Sequence, residues 1–220
     1  MSEPQPSPQK NRRGCLFYGC ITGIVCLVAI LLAFLLGLHA LKKMLNEYTD
    51  TKPMVLPTVQ MSADQVAQVQ RRVDGFRDAV RGGRTPPPLE LTGEEIDALI
   101  ENDPDFRMLK GKLYVTIEGD QVKGQMSVPM DQVGLPFFRG RYLNGTGTFG
   151  VTFHNGILTI LPREVLVKGK LLPAVYMDRI RNQNLAAQAN DDPRSSVALN
   201  RLQSIDVKDG KLIIVPKVER

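Results

Sequence analysis

Downstream of residue 60 the chain has one histidine, His154, and no cysteine. A Ser-His-acid hydrolase needs its imidazole on a rigid scaffold beside the nucleophile. His154 instead stands directly before Asn155-Gly156, a turn pair, and a turn residue tolerates unusual φ without any catalytic duty. No Gly-x-Ser-x-Gly elbow occurs. Metal binding through histidine and cysteine fails by count in this region. Carboxylates are the remaining candidates. Glu94, Glu95 and Asp97 fall in the first turn of a short helix, where acids complement the positive end of the helix dipole. Asp103-Pro104-Asp105 and Asp191-Asp192 read as loop and cap residues. Two acids from distant positions can still converge into a glycosidase-like pair, so a carboxylate-dependent enzyme stays as a third function. The glycine-rich stretch Gly140 to Gly150 is no phosphate loop. Gly145 and Gly147 share parity with Leu143 and Phe149, so they thin one face of a strand and let a helix, or a ligand, come close. The sequence assigns no catalytic residue, metal ligand or cofactor, and the ligand-binding residues are unknown at this stage.

The elements that would position such groups are marked by caps and turns. Ser62 with Gln65 is a capping-box pattern, and Val66, Val69, Val73, Phe76 and Val80 follow at helical spacing until Gly82-Gly83. Pro86-Pro87-Pro88 stiffens the segment from Arg84 to Leu91 into a polyproline spacer. Thr92 and Glu95 repeat the capping box ahead of Ile96, Leu99 and Ile100. After Gly111 the apolar period changes to two. Leu113, Val115 and Ile117, then Val122, Met126 and Val128, then Leu143, Phe149, Val151 and Phe153 predict strands with one apolar face. Gly119-Asp120, Asn155-Gly156 and Asp209-Gly210 are the hairpin turns. Pro162 marks an edge or a bulge. Pro173 opens a second long helix with Leu172, Tyr176 and Ile180 on one side, ending in the polar run Gln188 to Ser196. The expected fold class is α+β: one N-terminal transmembrane helix, then a curved antiparallel sheet covered on its apolar face by helices.

That transmembrane helix is the strongest single feature. No charged residue lies between Gly14 and Leu41, and some 20 apolar residues cross a hydrocarbon core of roughly 30 Å. Leu38-His39-Ala40 is a poor signal-peptidase site, so an uncleaved anchor is expected. The organisation reads as a disordered cytoplasmic tail over 1–13, a transmembrane helix over 14–41, a stalk over 42–60 and an extracytoplasmic domain over 61–220. Lys10, Arg12 and Arg13 before the span, against Lys42 and Lys43 with nearby Glu47 and Asp50 after it, set the N-terminus in the cytoplasm. The formal net charge of +5 does not mean nucleic acid. Residues 1–43 hold five Lys/Arg against one acid, and residues 44–220 hold 23 against 22. Cys15, Cys20 and Cys26 all lie in or beside the span, where Cys15 and Cys20 are conceivable acylation sites.

The arrangement of "LTGEEIDALI", "YLNGTGTFGVTFHNGILTI", "VKGKLLPAVYMDRI" and "SIDVKDGKLIIVP" behind an anchor resembles the YpmS-like bacterial membrane-anchored extracytoplasmic proteins. Looser similarity extends to periplasmic families with curved amphipathic sheets. The resemblance implies an apolar concave sheet near the membrane and no transferable functional residue. Met126 and Met130 would suit an adaptable apolar surface. The leading expectation is therefore a non-enzymatic, single-pass cell-membrane protein, partnered by the bilayer through its anchor and binding a lipid or other apolar ligand. An envelope protein-interaction or scaffolding module is the alternative. A continuous apolar groove would favour the first; a filled core, the second.

Overall fold

The structure, a computed structural model, describes residues 13–133 and 135–218. The chain divides into two compact units, Met1–Glu47 and Tyr48–Arg220. The described part of the first is one helix, α1 (Arg13–Tyr48). Its stretch Cys26–Tyr48 is long and apolar enough to cross a membrane. Helix continues past residue 41, where the sequence suggests a poorly helical stalk. From Leu38 to Tyr48 there is neither glycine nor proline, and Ala, Leu, Lys and Met in this stretch are all good helix formers. The tail expected over 1–13 lies outside the described residues except for Arg13. The side chains of Cys15 and Cys20 also lie outside what is described.

The second unit starts with an extended strap. Asp50 exchanges both backbone hydrogen bonds with Tyr142, at 2.8 and 2.7 Å. Met54 N–H donates to Ser127 Oγ and Asn144 Oδ1, each at 3.0 Å. Residues 50–54, within the segment 42–60 expected as a stalk, are thus laid against the folded unit. Helix α2 (Ala63–Arg81) follows, with the Ser62–Gln65 capping box formed in both directions and Gly82 at its C-cap. Strand β1 (Leu89–Thr92) leads straight into α3 (Gly93–Asn102), capped by Thr92 and Glu95.

Two antiparallel sheets complete the unit. The larger runs β2-β3-β4-β5-β6, from β2 (Leu113–Glu118), β3 (Gln121–Pro129), β4 (Tyr142–His154), β5 (Ile157–Val167) and the short β6 (Lys170–Leu171). The smaller runs β1-β8-β7, with β7 (Leu202–Lys208) and β8 (Lys211–Pro216). Successive positive φ values at Asn155-Gly156, Lys168-Gly169 and Asp209-Gly210 give the mirror-image turns whose twist matches paired strands. Opposite Thr148 and Phe149 the register shifts, leaving Arg163 as the extra residue of a bulge beside Pro162.

The fold is α+β, with antiparallel sheets and helices. Three expectations are corrected. One sheet becomes two, because the β7–β8 hairpin takes β1, about 120 residues earlier in the chain, as its third strand. Helix cover falls chiefly on the three-stranded sheet, while the larger one meets α3 at β2 and α4 to α6 at β5, leaving the middle of its apolar face open. Val69 and Val73 of α2 and Leu99 of α3 meet Leu89 and Leu91 of β1. Val80 of α2 and Leu199 meet Leu202 and Ile205 of β7. Finally, the second long helix is three short ones, α4 (Ala174–Ile180), α5 (Ala187–Asp191) and α6 (Pro193–Asn200). Asp192 caps α6 and Pro193 occupies its first turn, where proline's missing N–H costs nothing.

Candidate functional site

Alternate residues of the large sheet turn Leu113 and Val115 (β2), Val122 and Met126 (β3) and Phe149 and Val151 (β4) to one face. The register Leu113↔Met126 and Val122↔Phe149 sets them side by side. No helical residue lines this part of the face, although Val151 at its far end packs toward Val80 of α2 and Leu199 of α6. They floor an apolar groove of about 530 Å³, walled by Met108 and Leu109 on one side and by Ile160 and Leu185 on the other. Such a volume is within the roughly 300–1,000 Å³ of small-molecule sites. Met108 and Leu185 are 69% and 55% exposed, so the walls are open lips rather than packed core.

Glycines shape the floor. A Cβ on Gly124 would come within 3.0 Å of the Phe149 ring, and one on Gly147 within 3.1 Å of it. The ring lies across the two glycines, using the thinned face where the sequence suggests a covering helix. Of the two methionines singled out by the sequence, Met126 lines the groove. Met130 falls in the 3-10 turn after β3 and is not among the groove residues.

Beside Leu185 the outer edge of β5 is closed by side-chain amides. Asn184 accepts from Ile160 N–H at 2.9 Å and donates to Leu158 carbonyl at 2.9 Å. Asn190 accepts from Leu158 N–H at 3.0 Å and donates to the same carbonyl at 2.8 Å. Two asparagines thereby stand in for a missing strand and blunt an edge that could otherwise pair with another chain.

The carboxylates part company. Glu95 stays at the helix N-terminus, accepting from Thr92 N–H at 2.9 Å and pairing with Arg72 at 2.7 Å. Burial pushes its pKa up, but the Arg72 and Thr92 hydrogen bonds outweigh this and hold it below the usual value. Asp97 is only 2% exposed. Its Oδ1 accepts Val115 N–H at 2.7 Å, and Oδ2 has no partner among the described residues. Burial, helped by the charges of Glu101 and Glu94 and opposed by the Val115 hydrogen bond, raises its pKa to about 7. Asp97 is therefore no dipole residue; it clamps α3 to β2. A sequence signal for this existed. Gly93 and Asp97 are one helical turn apart, and a Cβ on Gly93 would lie 3.1 Å from the β2 backbone, so that face of α3 had to meet a strand.

Asp97 lines neither the groove nor the cavity of about 700 Å³ beside Pro86–Pro88. That second cavity holds Arg72, Glu90, Glu95 and Lys211, already joined as Arg72–Glu95 and Lys211–Glu90 ion pairs, each at 2.7 Å. Asp103 caps a 3-10 turn and meets Arg77 at 3.3 Å. Asp191 ends α5, and Asp192 is a cap, its carboxylate favoured first by the Ser195 hydroxyl. His154 is the exposed last residue of β4, paired with Ile157. Among the described residues no cluster of three His, Cys, Asp or Glu is placed to hold a metal ion. No family model, curated protein or solved structure matches the chain.

Proposed function

We propose that this chain is a membrane-anchored, non-enzymatic protein whose large sheet receives a lipid acyl chain or a comparable apolar ligand beside the bilayer. The observation that carries the reading is the groove: a continuous apolar trough over four strands, lined by no residue of any helix. Exposed apolar surface of that extent marks an interaction site, and a soluble unit gains by filling it with apolar matter. Its position is consistent with a ligand drawn from a membrane. Val128, at one end of the groove, pairs with Leu143, next to Tyr142, which is bonded to Asp50 of the strap. The YpmS-like resemblance points the same way, as does the tether, and the Lys/Arg flanks of α1 favour an extracytoplasmic second unit.

The test uses the full chain in vesicles containing a phospholipid with a diazirine near its acyl terminus. Cross-linked peptides from 113–128 are expected in addition to those from α1. Met126→Arg should abolish the first set and leave the second. Cross-links confined to α1 would refute ligand binding by the groove and turn the search to a protein partner in the envelope.

A further inference from the structure

Three segments of the second unit meet at its strap. Arg141 Nη2 and Lys168 Nζ both donate to the Thr49 carbonyl at 3.3 Å, Lys168 pairs with Asp50 at 2.8 Å, and the Tyr176 ring packs edge-on to Tyr48 at 5.6 Å. The loops so gathered carry large apolar side chains outward. Phe137 is 41% exposed, Leu171 64% and Val175 65%, with Leu135 alongside Phe137 in sequence. Three of the five tyrosines in the chain, Tyr48, Tyr142 and Tyr176, belong to the same end. So does the positive charge. Residues 48–57, 128–142 and 166–179 hold six Lys/Arg against three acids, leaving 17 against 18 for the rest of the 48–220 unit.

Resting on the anchor reading above, we infer that this strap-proximal end is a bilayer-contact surface, seated in the headgroup region of a membrane that contains anionic lipid. Apolar tips ringed by tyrosine and by Lys/Arg are the composition that partitions into the interface, and each cation near an anionic surface adds attraction. The occupant is fixed by the chain itself. Tyr48 is both the last residue of the candidate membrane span and the first of the second unit. The uncharged run ends at Leu41, and seven further residues at about 1.5 Å each reach Tyr48, so a bilayer holding that run has its headgroup region within about 10 Å of Tyr48 along the chain. The opposite end, at the β4–β5 turn, is about 40 Å away along a 13-residue strand at roughly 3.3 Å per residue.

The experiment places single cysteines on the full chain, with Cys15, Cys20 and Cys26 replaced by alanine, and labels them with an environment-sensitive fluorophore. Phe137→Cys and Val175→Cys report the patch, Ile157→Cys the far end and Leu32→Cys the helix. Proteoliposomes contain a phosphatidylglycerol fraction and brominated lipid as quencher. Strong quenching is expected at Leu32, clear quenching at Phe137 and Val175, and none at Ile157. Replacing phosphatidylglycerol by a zwitterionic lipid should weaken the patch signal and leave that of Leu32 unchanged. Quenching at Leu32 with none at Phe137 or Val175 overturns the contact surface alone. Loss at Leu32 as well overturns the anchor reading and this inference with it.

Discussion

The two sheets of the second unit are built from the same alternating pattern and end in opposite states. The three-stranded sheet has its apolar face closed by α2, α3 and α6, with Leu89, Leu91, Leu99, Leu202 and Ile205 all buried. On the five-stranded sheet Leu113, Val115, Val122 and Met126 are only half-buried. The cause is the supply of helix. Once α2 and α3 are placed, the chain offers only segments of 7, 5 and 8 residues, α4 to α6, and α6 lies against α2 and β5, with its Leu199 shared between the two sheets. Alternation marks a face to be covered but does not name its cover. In one sheet the chain provides it; in the other the middle of the face stays open.

Stability should register this contrast most strongly. Leu99→Ala, in the closed sheet, is expected to cost about 3–5 kcal/mol by lost transfer energy and cavity formation. Met126→Ala, in the groove, should cost no more than about 1 kcal/mol, since little area is withdrawn from water there. Urea unfolding of the detergent-solubilised chain, followed by tyrosine fluorescence, reads both; equal losses would abolish the distinction between the sheets.

The joint between the sheets comes next. Asp97 of α3 holds Val115 of β2. Its folded pKa of about 7 lies above the unfolded value of about 3.9, so the folded state binds the extra proton and stability falls as pH rises between those values. The expected loss is on the order of 3 kcal/mol from pH 4 to 8. Asp97→Asn retains an acceptor for Val115 while removing the charge. Its urea midpoint should lack this component of the pH slope, and a slope unchanged from the parent chain would reject the buried-carboxylate account.

The smallest effect concerns the groove wall. Asn184→Ala should cost about 1–2 kcal/mol, because Ile160 N–H and one bond to Leu158 carbonyl lose their partners. Amide hydrogen exchange at Ile160 should accelerate, with that of Ile205 in the closed sheet unaffected. Matching acceleration at both would mean that the two sheets open as one.

What could be read from sequence was local. Ser62–Gln65, Thr92–Glu95, Asn155-Gly156 and Asp209-Gly210 act through neighbours a few residues away, and each forms as its chemistry dictates. Strand β1 escaped because four residues behind three prolines carry no usable period, and their partner, β8, lies at the far end of the chain. The broken second helix escaped for a related reason. Asn184 and Asn190 look like loop polarity until the unpaired edge of β5 is set beside them. The groove was half legible: parity named Leu113, Val115, Met126 and Phe149 as one face, but its openness depends on where distant helices settle. Asp97 was hidden by the acids around it, which suit a helix start so well that its burial went unmarked.

The strap has a mechanical consequence. Residues 49–54 are bonded to Tyr142, Ser127 and Asn144, so that both β3 and β4 hold the strap. Asn144 adds a further pair, donating to Asp50 and to the Lys52 carbonyl at 3.0 and 2.9 Å. Any force that enters the folded unit through Tyr48 therefore meets these bonds before it meets the sheet.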